Sequence, residues 1–249
     1  MILDSIENKQ KILHNFLEIV QFDGWNDFTL SKAIELSDID KKFQNLIFEN
    51  GCLDLIEFYI EEQNRKLLQK IAQNNNFSAL KVRQKITFAL VTIFENEQKH
   101  QLALQRLRNF YLDAKNFSQI KYGPKPLFLG LKHAAKMADF IWLAINDKST
   151  DFNFYTKRLT LAKIILQSFF VFVKDDSGNL LKTKNFIDLQ IEKVMKFEKF
   201  KSKIRGQVNG VSKKLKHVSH EFLCDEAGNI KPVNKIIKDL PFIRLFNFK

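Results

Sequence analysis

Apolar positions recur at intervals of three and four along almost the whole chain, a spacing that predicts helices. Ile6, Ile12, Leu13, Phe16, Leu17 and Val20 share one helical face, and Asp23-Gly24 ends that first helix. Asp27-Phe28-Thr29 then supplies residues able to cap a short second helix carrying Leu30, Ala33, Ile34 and Leu36. Ser37-Asp38 turns the chain into a third short helix over 39–48. Asn50-Gly51 separates this from a long amphipathic helix bearing Leu53, Leu55, Ile56, Tyr59, Ile60, Leu67 and Leu68. Short helix, tight turn, short helix and long helix is the order of a helix-turn-helix module.

Further helices are predicted over 77–94, 101–112, 127–145 and 152–173, followed by an amphipathic helix with a strongly basic exposed face over 186–203. The breaks fall at the polar cluster 95–100, at Tyr122-Gly123-Pro124-Lys125-Pro126, at the polar loop 146–151 and at Asp175-Asp176-Ser177-Gly178. In the 152–173 helix, Lys157, Arg158, Thr160, Lys163 and Gln167 are outnumbered by aliphatic and aromatic groups, so this helix must be enclosed on most sides. Asp23-Gly24 and Asn209-Gly210, which can mark hairpins, lack flanking period-two strands. The expected fold is therefore all-α, a helical bundle. Its expected organisation is a helix-turn-helix-like module over 1–62 leading into the long helix, a helical domain over 63–205, and a basic amphipathic tail over 206–249.

Charge sharpens the picture of the tail. Residues 196–249 carry 13 Lys and Arg against 5 Asp and Glu, so they hold +8 of the chain's formal +12. Val233, Ile236, Ile237 and Leu240 follow helical spacing with Lys235 and Lys238 beside them, and Phe242 and Ile243 follow the break at Pro241. Such an end suits an anionic membrane surface, although docking back on the domain or on a dimer mate explains the same residues. Charge alone does not separate lipid from nucleic acid. The longest nearly apolar stretch, Ile164 to Val173, is about half of what a bilayer-spanning helix requires, so membrane contact is expected to be peripheral. The first residues, MILDSIENKQKIL, include Asp4 and Glu7 where a leader would be basic and acid-poor. Cys52 and Cys224 match no disulfide framework or metal pattern and fit a reducing compartment.

Candidate chemistry is sparse. No nucleophile elbow, zinc-protease motif, Walker loop or dinucleotide fingerprint is present. Glu97-Gln98-Lys99-His100 has the Glu-x-x-His spacing of di-iron bundles, but one copy is half a site, and Asn96, Gln98 and Lys99 suggest a solvated neighbourhood. No cofactor is expected. In the helix-turn-helix segment, Lys41, Lys42, Gln44 and Asn45 are of the type that reads DNA, whereas Asp38 and Asp40 at the approaching end repel phosphates, which disfavours DNA as a partner.

The segment 139–198 carries a longer pattern. It comprises Asp139-Phe-Ile-Trp142, the run Asp147-Lys-Ser149-Thr-Asp151-Phe-Asn153-Phe154-Tyr155-Thr-Lys-Arg158, then Asp175-Asp176-Ser177, and finally 186–198. This resembles the Coq-nine family of ubiquinone-biosynthesis accessory proteins. A weaker match covers 46–55. The resemblance implies a fold like that of TetR-type regulators, a homodimer, a pocket for an isoprenoid lipid or phospholipid, and a di-iron partner, the demethoxyubiquinone hydroxylase. Implied contacts for lipid or partner are Trp142, Phe154, Tyr155 and Phe169, with Asp147, Ser149, Asp151 and Arg158 as motif residues. The family usually has Trp where Phe154 stands, and Phe lacks the indole N–H. Trp142, Phe154 and Tyr155 also fit an ordinary core, and Asp147, Ser149 and Asp151 also fit turns and helix caps.

The expected function is lipid presentation without bond chemistry. The protein would be cytoplasmic and peripheral on the inner membrane, touching it through Lys235, Ile236, Ile237, Lys238, Leu240 and Phe242. A TetR-like DNA-binding regulator centred on 28–48 is the alternative, and an enzyme using Glu97 and His100 with a metal is a second.

Overall fold

Caps and breaks set the helix boundaries in the computed structural model, which describes residues 5–112, 126–147 and 152–207. Ser149, Asp151 and the expected membrane-contact residues at 235–242 lie outside the described residues. Among the described residues every regular element is a helix, with no strand. Helix α1 spans Ile6–Asp23, its start capped by Ser5, whose hydroxyl accepts from the Asn8 N–H at 3.2 Å. Gly24, at φ 80, ends it. Helix α2, Asp27–Glu35, is capped by Asn26, one residue before the expected set; its side chain accepts from the Thr29 N–H at 2.9 Å.

The single helix expected over 39–48 is instead a 3₁₀ turn, Lys41–Phe43, followed by α3, Gln44–Ile47. The cause is local: Asp40 caps the Lys42 N–H at 2.9 Å and starts the element late, after Asp38 at φ 60. The long helix α4, Cys52–Gln73, follows Gly51. Gly51 sits at φ 60, and a Cβ there would fall inside the Asp27 carboxylate, so glycine is required on both counts. Asp27 in turn accepts from the Cys52 N–H at 2.7 Å, capping α4 from α2.

The 77–94 segment also divides, into a 3₁₀ turn, Phe77–Ala79, and α5, Val82–Asn96. A further 3₁₀ turn, Gln98–His100, runs directly into α6, Gln101–Leu112. Helices α7, Pro126–Ala144, and α8, Phe152–Phe172, form the most extensive helix pair. Helix α9, Leu181–Gln207, starts earlier than expected because Asp175 holds its first turn. Asp175 accepts from the Thr183 N–H at 2.7 Å and the Ser177 N–H at 3.0 Å.

The chain divides into two units, Met1–Ile191 and Glu192–Lys249; in the second, only the C-terminal part of α9 is described. In the first unit α4 packs on α5 and α7, while α1 packs on α2 and α6. The rings of Phe16, Trp25 and Tyr59 join these groups, with centroids 4.9 and 5.9 Å apart along the series. Trp25 Nε1 donates to the Ala103 carbonyl at 2.9 Å, so the N-terminal module is tied to α6 by a buried hydrogen bond. No helix of the described residues is long and apolar enough to cross a membrane.

Candidate functional site

Helices α4 to α8 line a cavity of about 70 Å³. Its walls are almost wholly apolar, with Ile60, Leu104, Leu107, Met137, Ile165 and Phe169 among them. Of the residues expected to contact lipid or partner, Phe169 alone stands on this wall. Gly130 sets the spacing of α6 and α7 beside the cavity, since a Cβ there would lie 3.2 Å from the Tyr111 ring.

Polar groups reach the cavity at few points. Tyr59 donates to Glu97 Oε2 at 3.0 Å, His100 Nδ1 lies 3.1 Å from the same oxygen, and Lys66 lies 3.3 Å from Oε1. This corrects the solvated reading of Glu97 and His100: both side chains are buried, turned inward by the 3₁₀ turn that joins α5 to α6. Burial opposes ionisation of Glu97, but the His100 hydrogen bond and the Lys66 charge outweigh it and hold the carboxyl below its ordinary range. Burial and the adjacent Glu97 push Tyr59 up. Among the described residues no third histidine, cysteine or carboxylate joins Glu97 and His100 into a ligand cluster.

Across the cavity Tyr111 Oη and His133 Nδ1 are 2.7 Å apart. Burial pulls His133 down to about 4, so its ring is neutral at pH 7. Gln63, one turn beyond Tyr59 on α4, is 2% exposed, and neither its amide nitrogen nor its amide oxygen has a partner. Sequence reading missed Gln63, Tyr111 and His133. The signal was available, since Gln63 interrupts the apolar stripe of Tyr59, Ile60 and Leu67, and His133 that of Leu129, Met137 and Ile141.

Of the expected motif residues, Asp147 and Arg158 come together elsewhere, at the α7–α8 corner. Arg158 is buried; it pairs with Asp139, donates to the Phe154 carbonyl at 3.2 Å and stacks 3.4 Å from the centre of the Phe154 ring. Asp147 pairs with Lys157 at 2.8 Å and lies 3.7 Å from Arg158. Its N–H donates to the Trp142 carbonyl at 3.0 Å, closing the end of α7. Trp142 is buried beneath Lys157, off the cavity wall. Phe154 and Tyr155 are half-buried with ring centres 5.0 Å apart. The corner thus fixes the Phe154 ring between a guanidinium and a phenol and leaves part of the pair open to solvent.

A family model for COQ9 matches residues 128–198, which take in α7, α8 and the first part of α9. A probable ubiquinone biosynthesis protein, coq9, mitochondrial, of Dictyostelium discoideum is 26% identical over 207 residues, covering 81% of this chain and 64% of that protein. The coq9 protein of Schizosaccharomyces pombe is 29% identical over 191 residues, 74% of this chain and 68% of its own. The human COQ9 protein is 23% identical over 202 residues, with 77% and 60% covered. The chain thus spans less than two thirds of the Dictyostelium and human proteins.

Proposed function

The chain belongs with the COQ9 proteins of ubiquinone biosynthesis, and on that premise we propose that it is a lipid-binding accessory protein that presents an isoprenoid precursor to a hydroxylase at a membrane surface. One observation carries the reading: the stretch matching COQ9 supplies both α7 and α8 walls of the apolar cavity and the Phe154–Tyr155 corner. An apolar cavity among helices is the kind of site that takes a hydrocarbon chain. An aromatic pair locked by Arg158 and half open to solvent is the kind of anchor that protein partners use.

In this reading the protein does no bond chemistry, acts as a homodimer and works as a peripheral protein of the membrane that makes ubiquinone. Its partner is the di-iron demethoxyubiquinone hydroxylase. The cationic, apolar residues 232–249 supply the membrane contact by combining attraction to anionic lipid with buried anchors. DNA binding is not adopted, because the relatives are named for ubiquinone biosynthesis and Asp38 and Asp40 place negative charge at the end of the module that would approach phosphates.

Native mass spectrometry with lipid extraction, followed by flotation on anionic vesicles with and without 232–249, tests this function. Co-purifying isoprenoid lipid and tail-dependent flotation are expected. An empty protein that ignores vesicles and shifts a specific duplex would replace the reading with that of a regulator.

A further inference from the structure

The cavity wall contains one polar side chain whose hydrogen-bonding capacity is wholly unspent. Gln63 is buried with its amide donor and acceptor both unpartnered, in a lining that is otherwise almost entirely hydrocarbon. Buried amides are normally satisfied, so an orphan on a cavity wall marks the place of a missing polar partner. Its neighbours do not supply one. The Tyr59 hydroxyl is engaged with Glu97, and the Tyr111 hydroxyl with His133.

We propose that Gln63 is the head-group subsite of this cavity, and that it recognises a neutral, oxygen-bearing ring such as a phenol or quinone rather than a phosphate. A carboxamide offers an N–H to a carbonyl or methoxy oxygen and an oxygen to a phenolic O–H, so it serves ring oxygens in either redox state. Charge selects against phosphate. The ionisable groups on the wall are the Glu97 carboxylate, the neutral His133 and two protonated tyrosines; Lys66 beside them is paired with Glu97, and Lys132 and Lys136 with Glu57. An anionic head would meet a carboxylate and no free cation, an arrangement that costs far more than it returns. The cavity's 70 Å³ is under half of the ~150 Å³ that admits a benzene ring, so the ring enters by displacing side chains. Met137, with three flexible torsions, and the half-buried Phe169 stand on the wall where that space is made.

The subsite rests on the lipid-pocket reading, and the experiment separates the two. The full chain and its Gln63→Leu variant are titrated with three probes: a benzoquinone carrying two methoxy groups and a decyl tail, farnesol as a tail without a ring, and a short-chain phosphatidylglycerol. The wild type is expected to bind the quinone most tightly. Gln63→Leu should lose about tenfold on the quinone, with farnesol affinity unchanged. Its Tm should not fall, because an unpaired buried amide has been exchanged for a side chain of similar size. Should that variant fail to fold, Gln63→Met is read in its place.

Equal quinone affinity in both proteins would overturn the subsite and assign the amide to buried water, leaving the pocket intact. Preference for phosphatidylglycerol over quinone would overturn it in favour of a phosphate site. Failure of all three probes to bind the wild type would overturn the pocket reading and the subsite with it.

Discussion

His133 makes stability depend on pH in a calculable direction. Its ring is buried against Tyr111, and burial lowers it from 6.5 to about 4, with the nearby Glu57 opposing and Lys132 and Lys136 assisting. The unfolded ring binds a proton more readily than the folded one, so stability is complete above about pH 6.5 and declines as pH falls towards 4. Between pH 7 and 5 this one group is expected to cost about 2 kcal/mol, read by urea unfolding at the two pH values. His133→Gln should remove a slope of that size. Arg158 makes a different kind of prediction. Replacing it with Leu removes the guanidinium that pairs with Asp139, faces Asp147 and stacks on the Phe154 ring. An expected loss of about 2 kcal/mol follows from the lost charge-assisted hydrogen bonds and ring contact, again measured by urea.

At the scale of elements, the entry into α4 is the point where one substitution should do most damage for its size. Gly51 holds φ 60 and lies against the Asp27 carboxylate that caps the Cys52 N–H. Gly51→Ala adds backbone strain and displaces that cap together, and about 2 kcal/mol of destabilisation is expected, read as a fall in Tm. The consequence reaches the cavity, because Tyr59, Ile60 and Gln63 all ride on α4. The element order and most helix lengths were legible in the apolar spacing. The short 3₁₀ turns were not, because one side chain bonding the backbone two residues away, as Asp40 does at Lys42, leaves no period to detect.

For the whole molecule, cavity and corner are separable, and so are their readouts. On the proposed function, Tyr155→Ala is expected to weaken capture of a hydroxylase partner at least tenfold in a pull-down, while leaving farnesol affinity unchanged, since Tyr155 is not on the cavity wall. Loss of both functions together would mean that the α7–α8 corner supports the cavity rather than facing a partner.

The helical class, the positions of the main breaks and the kinship carried by 139–198 were all readable along the chain, because helix periodicity and turn chemistry are local properties. The 152–173 helix was legible as too apolar to stand in solvent, and the fold places its Phe169 on the cavity wall. The burial of Glu97 and His100, the pairing of Tyr111 with His133 and the unpartnered amide of Gln63 required the fold. Each depends on which side chains meet across helices far apart in sequence: Tyr59 and Glu97 are 38 residues apart, Tyr111 and His133 are 22. A polar residue on an apolar stripe shows in the sequence that something must satisfy it. Packing decides whether that partner is a neighbouring side chain or an open cavity.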